Sequence, residues 1–576
     1  MIPADIETAL RVGDYFRAYD LATAALEAEP GDLDLHYVAV LALARTGANK
    51  HARACLRAIL DSIKSGKVVS PQLAEDFAAM DARLAKDLAL EEIGQKRRTL
   101  AADSARRYEA ALAVKGGHFP AINAATMWLL AGETEKSRAL ARRALDDIRH
   151  TAAGYWPLAS AAEAHLLLGE LPEARRALAA ATASSATDLA DQAVTRRQMA
   201  LVCETLGVSW ASIDVAPTST IVHFCGDDVD DTSSGLSSDL SCRIDQLIAD
   251  RPIALAFGAI RNRMELLIAE KLLARGVDVQ LVLPTDAAAI AEAIGGDGRR
   301  VQACVDKLHS PALVMSSSGQ TSRALFAHSA RCAMGLAIMR ADALLMDARQ
   351  IAISCANDAS RDSADLVDHW SGLGRPQAMI EAPKSRPRAM RASSPPCYET
   401  KAFVFCDIKG FSKIPEEAMP AFVNVVLGGL AEEIDKFKTD VEYRETAGDG
   451  IYLVFRGVAA AADCALALVA RLNGLPPGPL SRLGIRVSAH VGAVFSATDP
   501  VTGFRKFFGS EIIRAARIEP ITPVGECYVT EQFASIIALE ASHRLNCDYA
   551  GVLASAKEYG AFRMYSLRRR KMPDQL

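Results

Sequence analysis

The chain of 576 residues has no long apolar run, no cysteine pair of the metal-binding kind and little net charge. None of its twelve cysteines has C-x-x-C spacing, which excludes the common zinc and redox-dithiol motifs and predicts buried thiols in a reducing compartment. No segment approaches the roughly 18 apolar residues that span a bilayer, and the start lacks the basic residues of a signal peptide. The net charge of −5 favours neither a nucleic acid nor an anionic membrane as a partner. We therefore expect a cytoplasmic protein.

Residues 1–210 are rich in alanine and leucine with helical periodicity, which predicts an all-α region. Small residues recur where two helices would touch, and helices are predicted to end at Pro30-Gly31, near Gly132 and near Gly169. These features resemble tetratricopeptide repeats, whose stacked helix pairs form a concave face that suits a protein partner. A plain helical bundle is the alternative for this region.

Residues 218–381 alternate between strand and helix patterns. The predicted buried strands lie at 220–224, 253–258 and 277–284. With a predicted helix over 264–276, the alternation predicts a central α/β domain that contains a parallel, Rossmann-like sheet. Gly258 lies where a phosphate-binding turn would open a helix, although a single glycine serves equally well in a tight strand-to-helix turn.

Proline, serine and arginine dominate residues 382–400, between the central domain and the C-terminal region. This composition predicts a solvated linker. A contact with an anion is the alternative explanation for its basic residues.

Two carboxylates lie at predicted strand ends in the C-terminal region, residues 401–570. Asp407 follows an apolar strand and precedes a glycine turn, and Asp449 lies in the predicted hairpin Ala447–Gly450. Each carboxylate alone is explained by a helix cap or a tight turn. As a pair, at a strand tip and a neighbouring hairpin, they suit Mg²⁺, which prefers a few carboxylates together with substrate phosphates.

Three further segments follow in order: Arg482–Gly492 on a predicted strand, Phe507–Glu519 on a predicted helix and Lys557–Leu567 in a predicted hairpin. Together with the two aspartate segments, they resemble the catalytic domain of class III adenylate and guanylate cyclases over residues 401–567. The resemblance implies an α+β, ferredoxin-like catalytic domain, so the whole chain is predicted to be multidomain. We interpret His490 as a packed strand residue rather than a catalytic one.

The resemblance implies a reaction and a set of site residues. Enzymes of this class convert a nucleoside triphosphate into a 3′,5′-cyclic monophosphate and pyrophosphate, by attack of the ribose 3′-oxygen on the α-phosphate. Asp407, Asp449 and the backbone carbonyl of Ile408 match the ligands of two Mg²⁺ or Mn²⁺ ions. Arg517 matches the arginine that stabilises the transition state, and Lys557 the lysine that pairs with the β- and γ-phosphates. A homodimer is also implied, because the family's metal carboxylates and transition-state arginine come from opposite subunits.

Glu445 and Lys506 occupy the positions that the resemblance implies for base recognition. A glutamate accepts hydrogen bonds from guanine N1–H and N2–H₂, and a lysine donates one to guanine O6, so GTP is favoured over ATP. The pair is equally compatible with a plain salt bridge or with a pyrimidine substrate. The second alternative predicts a pyrimidine cyclase.

Two residues depart from the cyclase pattern. Ile513 replaces the family asparagine and cannot orient a ribose or a water, and Glu558 replaces a glycine of the closing hairpin. Ile513 supports the alternative that the domain is degenerate and binds a nucleotide within a signalling scaffold. The retention of the two aspartates and of the cationic residues opposes that alternative.

The first 380 residues resemble a module that precedes bacterial cyclases. Their helical part is similar to the TRAFs-binding region of apoptosis-signalling MAP kinase kinase kinases. This resemblance implies regulation or partner docking rather than chemistry, so we expect the N-terminal regions to control how two catalytic domains meet.

Overall fold

The computed structural model describes residues 2–184, 189–215, 219–229, 234–295, 298–316, 321–355, 363–382, 398–475, 477–478 and 480–570. The predicted linker falls almost entirely outside these ranges. Among the described helices, none has both the length and the apolar character needed to cross a bilayer. The chain is multidomain: an all-helical repeat region is followed by two regions built on sheets.

The N-terminal region consists of helices that pack against their neighbours in sequence. They are α1 Ala4–Arg11, α2 Tyr15–Ala28, α3 Leu33–Thr46, α4 Asn49–Lys64, α5 Pro71–Leu90, α6 Gly94–Lys115, α7 His118–Ala131, α8 Thr134–Arg149, α9 Tyr155–Leu168, α10 Leu171–Ser184 and α11 Leu189–Leu206, followed by a 3₁₀ turn, Trp210–Ser212. The predicted helix ends at Gly132 and Gly169 are confirmed, with φ of 90° and 84° in the left-handed region that glycine adopts readily. Helix α11 packs against α1, α7 and α9.

The central region is a parallel sheet with the strand order β4-β3-β2-β1-β5-β6. Its strands are β1 Thr220–Gly226, β2 Ile253–Ala259, β3 Asp278–Leu283, β4 Leu313–Val314, β5 Ala348–Cys355 and β6 Gln377–Ala382. Its helices are α12 Ser234–Asp250, α13 Arg263–Ala274, α14 Ala287–Ile294, α15 Gly298–Val305, α16 Arg323–Leu344 and α17 Ala364–Gly372. Ile221 and Cys225 belong to one apolar core and Val222 and Phe224 to another, because alternate side chains of β1 face opposite sides of the sheet.

The C-terminal region has a mixed sheet with the order β13-β14-β12-β10-β7-β9-β8, and β11 pairs with β10. Its strands are β7 Tyr398–Lys409, β8 Val441–Ala447, β9 Gly450–Phe455, β10 Gly484–Thr498, β11 Arg505–Phe508, β12 Cys527–Thr530, β13 Leu545–Ala554 and β14 Ala561–Arg569. Its helices are α18 Met419–Ala421, the π-helical segment Phe422–Leu427, α19 Gly428–Asp435, α20 Val458–Asn473, α21 Ser510–Ile518 and α22 Glu531–Glu540. Short 3₁₀ turns occupy Phe411–Lys413, Glu416–Ala418, Glu519–Ile521 and Ala556–Glu558.

Helix α16 lies between the central sheet and the C-terminal region. One apolar core continues from the central sheet through α16 into the C-terminal sheet. At Gly335 of α16, an added Cβ would overlap the backbone carbonyl oxygen of Ser535 in α22. At the edge of this contact, Arg331 donates to Glu540 at 2.7 Å. The two sheet regions are therefore packed directly against each other.

The helical region also contacts the C-terminal sheet. The ring of Phe16 on α2 lies 4.5 Å from that of Tyr549 and 5.8 Å from that of Tyr565. The Tyr549 hydroxyl donates to Asp20 at 2.6 Å, and Arg563 lies 3.4 Å from the same carboxylate. Burial raises the pKa of Asp20 to about 6, and the Tyr549 hydroxyl and Arg563 oppose that increase. All three regions thus meet around β13, β14 and α22.

Gly335→Ala is expected to lower the free energy of unfolding, because the added methyl group must push α16 away from α22. Overpacking of a close contact costs typically about 1–3 kcal/mol. Gly372→Ala is the matched control, since Gly372 is also helical but has open space around its Cα, and alanine is the better helix former. The measurement is the urea midpoint of the first unfolding transition of each full-length variant. Equal midpoints for the two variants would contradict the close contact between α16 and α22.

Candidate active site

Asp407 and Asp449 lie at one corner of the C-terminal sheet. The Cα of Asp407, near the end of β7, pairs with that of Gly450 at the start of β9. Asp449 lies in the turn between β8 and β9, and its carbonyl oxygen accepts a hydrogen bond from the Ile408 N–H at 3.2 Å. Gly448 makes the turn with φ of 67°, which glycine adopts without steric cost. The hairpin therefore holds Asp449 beside the end of β7, and both aspartates are half-buried.

A guanidinium and a third carboxylate complete this corner. Arg486 of β10 lies opposite Asp407 in the antiparallel register, and its Nη2 donates to Asp407 Oδ2 at 2.7 Å. The same Nη2 lies 2.8 Å from Glu519 Oε1. Burial raises the pKa of Glu519 to about 7; Arg486 lowers it, and the negative charges of Asp407 and Asp449 raise it. Three carboxylates thus share this corner with one guanidinium, an excess of negative groups that favours a bound cation.

The oxygen ligands at this corner are of the kind that Mg²⁺ and Mn²⁺ prefer, and they do not close a protein site around a metal. The part of the chain that the structure describes contains no group of three or more His, Cys, Asp or Glu side chains placed to hold a metal. Magnesium needs only one or two protein carboxylates when substrate phosphates supply further oxygens. Asp407, Asp449 and the Ile408 carbonyl fit that requirement. Arg486 occupies Oδ2 of Asp407, and Oδ1 accepts no hydrogen bond from the described residues.

Helix α21 presents Arg517 without an internal partner. Arg517 is half-buried, and its side chain forms no hydrogen bond or ion pair with any other residue in the described ranges. Ile513 lies one turn earlier on the same face and is 46% exposed. The isoleucine side chain cannot form a hydrogen bond. This face of α21 therefore presents the Arg517 guanidinium beside the apolar side chain of Ile513.

Lys557 lies in a turn with an unusual backbone. Lys557 and Glu558 both adopt the left-handed region, with φ of 58° and 54°. Residues other than glycine rarely do so, and the conformation costs roughly 1–2 kcal/mol per residue. The turn is held to the start of α21 by the Tyr559 hydroxyl, which donates to the Ser510 carbonyl at 3.3 Å. The exposed Lys557 forms no ion pair within the described chain.

The structure brings Glu445 and Lys506 together. Lys506 Nζ on β11 lies 3.7 Å from Glu445 Oε1 on β8 and 3.4 Å from Asp499 Oδ2. The Tyr443 hydroxyl donates to the other oxygen of Glu445 at 2.6 Å. The Tyr443 ring in turn lies 6.5 Å from that of Phe507 between centroids. The Glu445 carboxylate, a hydrogen-bond acceptor, and the Lys506 ammonium group, a donor, therefore lie side by side next to the Tyr443 ring.

Two residues of the corner had no role assigned from the sequence. Arg486 and Glu519 lie inside the recognised segments, but nothing in the sequence alone indicates that they contact Asp407. His490 is fully buried and hydrogen-bonded on both ring nitrogens, to Thr530 at 2.8 Å and Glu511 at 2.7 Å, as expected of a packed strand residue.

The predicted site residues form separate groups within one chain. Asp407, Ile408 and Asp449 are joined at the corner, and Glu445 is joined to Lys506. Neither Arg517 nor Lys557 forms an ion pair with either aspartate in the described structure. Within one described chain, therefore, neither Arg517 nor Lys557 contacts Asp407 or Asp449.

A family model described as Tetratricopeptide Repeats-Sensor matches residues 14–128. This range runs from the start of α2 into α7. The match supports the repeat interpretation of the N-terminal region over the plain bundle. No curated protein sequence matches the chain.

Solved structures similar to about 30% of the chain are catalytic domains of nucleotide cyclases. The guanylate cyclase domain of RhGC from Catenaria anguillulae, solved with GTP, is 18% identical; the match covers 30% of this chain and 97% of that one, with a TM-score of 0.27. The adenylyl cyclase CyaB from P. aeruginosa is 17% identical, over 31% of this chain and 97% of that one, with a TM-score of 0.26. Adenylate cyclases from Trypanosoma brucei are 18% identical, over 32% and 93% of the two chains, with a TM-score of 0.27.

Proposed function

We propose that the C-terminal region is a class III nucleotide cyclase that forms a 3′,5′-cyclic nucleotide and pyrophosphate from a nucleoside triphosphate. The observation that carries the proposal is the corner at which the β8–β9 turn holds Asp449 beside Asp407. The carboxylates of this corner outnumber the guanidinium bonded to them, and that balance suits cations bound with a polyphosphate. The five segments that resemble class III cyclases follow one another in the order of that family's pattern, and they supply the remaining groups.

The chemistry needs a deprotonated 3′-oxygen, charge stabilisation at the α-phosphate and a bound leaving group. Two Mg²⁺ or Mn²⁺ ions held by Asp407, Asp449 and the Ile408 carbonyl would lower the pKa of the ribose 3′-hydroxyl. They would also offset the negative charge of the phosphates. The guanidinium of Arg517 stabilises the charge that develops on the α-phosphate. Lys557 pairs with the β- and γ-phosphates, which leave as pyrophosphate.

The separation of these groups within one chain supports a homodimer with shared sites. Among the described residues, the Arg517 side chain has no ion-pair partner, and Arg486 is the only cationic side chain paired with Asp407. A two-fold arrangement would place the Arg517 and Lys557 of one subunit opposite the aspartates of the other. The helical and central regions, which contact the C-terminal sheet directly, are then placed to influence how the two catalytic domains meet.

The proposal is tested by incubating the full-length protein with each of the four nucleoside triphosphates and Mg²⁺ or Mn²⁺, and identifying products by mass. Cyclic GMP or cyclic AMP supports the proposal. A cyclic pyrimidine nucleotide would support the pyrimidine alternative. Nucleotide binding without any cyclic product would support a degenerate domain in a scaffold, for which Ile513 is the structural reason.

We expect GTP to be preferred over ATP, because Glu445 meets the N1–H edge of guanine favourably and faces a lone pair at adenine N1. A mismatch of this kind is worth about 1–3 kcal/mol. Glu445→Gln should therefore lower kcat/KM for GTP by about tenfold or more and change the value for ATP less. The control is Arg444→Gln, which alters the exposed neighbour on the opposite face of β8. A clear wild-type preference for ATP would show that the Glu445–Lys506 pair does not recognise the base in this way.

A further inference from the structure

A buried arginine joins helix α21 to the central region. Arg514 is 9% exposed; its Nη1 donates to the Met315 carbonyl oxygen at 3.4 Å and to Glu511 Oε2 at 3.0 Å. Its guanidinium also lies 4.9 Å from the centroid of the Phe562 ring. Met315 directly follows β4, and its N–H donates to the Leu283 carbonyl of β3 at 2.9 Å. Arg514 therefore bridges α21, strand β14 and the edge of the central sheet.

A second buried group lies near this helix, on α16. His328 is 3% exposed, α16 packs against β10, and the charges of His490 and Glu511 act on the His328 ring. The adjacent His490 bonds to Glu511 Oε2 at 2.7 Å. Burial lowers the pKa of His328 to about 4 and also lowers that of His490. Burial opposes ionisation of Glu511, but His490 and Arg514 outweigh it and lower the pKa of that carboxyl.

We propose that the central region positions α21 in the active site, through the Met315 carbonyl that accepts from Arg514 and through His328 of α16. The helix spans only Ser510–Ile518, and Arg517 follows Arg514 by three residues, so a displacement at Arg514 moves Arg517 as well. Arg514 and His328 touch no reacting atom; they are positioning residues that act through α21. The role of Arg517 in this inference rests on the proposed cyclase function.

Met315 lies at the carboxyl end of β4, the outermost strand of the central sheet. Ligands of open parallel α/β sheets bind outside the carboxyl ends of the strands where the strand order reverses, which in this sheet is between β1 and β5. A displacement of the carboxyl end of β4 would move the Met315 carbonyl oxygen, which accepts a hydrogen bond from Arg514. Because Arg514 also packs on Phe562, the change would reach strand β14, which follows the Lys557 turn. Both cationic groups of the proposed site thus depend on the central region.

The first test is amide hydrogen exchange in the full-length protein, which does not depend on activity. Arg514→Met removes the guanidinium and keeps an unbranched apolar side chain, and His328→Leu removes the buried imidazole of α16. Each is expected to raise exchange in residues 510–518 by about fivefold or more. Arg514→Lys keeps the cation and should show a smaller increase. Arg471→Met, which removes an exposed arginine of α20 paired with Glu432 at 3.7 Å, is the control that should leave this segment unchanged.

The second test is a kinetic double-mutant cycle between Arg514 and Arg517. Arg514→Met should lower kcat by about tenfold with KM for the nucleotide nearly unchanged, because an interaction made in the transition state is lost. In the Arg517→Ala background, the same change should have almost no further effect. A purely structural role would instead lower the amount of folded enzyme, and so lower the rate by the same factor in both backgrounds.

The two tests separate this inference from the proposed function. Unchanged exchange at 510–518 in both Arg514→Met and His328→Leu, or full additivity in the cycle, would overturn the positioning role. If the wild-type protein makes no cyclic nucleotide, the proposed function fails. The exchange measurement would still decide whether the central region holds α21.

Discussion

Asp407→Ala and Asp449→Ala are each expected to reduce cyclic nucleotide formation by about a thousandfold or more while the protein remains folded. Metal ions supply several kcal/mol of charge stabilisation to a reaction of this kind, and each 1.36 kcal/mol corresponds to a tenfold change in rate. The measurement is the initial rate at saturating nucleotide and metal, with folding checked by circular dichroism. The substitutions spare the backbone bond from Ile408 to the Asp449 carbonyl, so the hairpin should keep its position.

Asp435→Ala is the matched control, because it removes an exposed carboxylate of the same domain that pairs with Arg444 at 2.6 Å. Such surface pairs contribute little to stability, so this variant should keep the wild-type rate. Asp407→Asn adds a second comparison: it keeps the shape of the side chain beside Arg486 but lacks the negative charge. Near-normal turnover in a folded Asp407→Ala or Asp449→Ala protein would remove these residues from the metal site.

Strands β1, β2 and β3 of the central sheet could be predicted from the sequence because both faces of that sheet are covered. Segments such as Ile253–Phe257 are then continuously apolar and differ clearly from the helices between them. The packing of α16 against α22 could not be predicted in the same way. Gly335 permits the close approach, but a lone glycine within a helix does not indicate which backbone it will meet. The direct contacts among the three regions therefore became visible only in the structure.

The candidate site also combines residues that could be predicted from the sequence with contacts that could not. Asp407 and Asp449 were recognisable because each lies beside a glycine turn at a strand end, and such positions are set by local sequence. The contact between Arg486 and Asp407 depends on the register of β7 against β10, which pairs residues about 80 positions apart. The buried Glu511–Arg514 pair could not be anticipated either. Charged residues on a short helix are usually exposed, and these two are buried only because Met315 and His490 cover them.

Arg517→Ala is expected to lower the rate by about 100-fold to 1,000-fold, the usual effect of removing one group that stabilises developing charge. If sites are shared between subunits, mixing Arg517→Ala chains with Asp407→Ala chains should restore part of the rate. In a mixed dimer, one composite site combines both altered residues and the other contains neither. Random association of equal amounts makes half of the dimers mixed, so the recovered rate should approach about a quarter of the wild-type value.

The control for this experiment is a mixture of Asp407→Ala with Asp449→Ala chains. Both residues belong to the same corner of one subunit, since the turn at Asp449 is bonded to the backbone of β7. Every composite site in that mixture lacks one metal carboxylate, so no activity should return, although the chains associate equally well. Recovery in the first mixture alone requires that Arg517 acts on the aspartates of the other subunit. Equal failure of both mixtures, with mixed dimers demonstrated by mass, would instead mean that each chain builds its site alone. Arg517 would then have to reach Asp407 within one subunit, by a movement of α21 against β7.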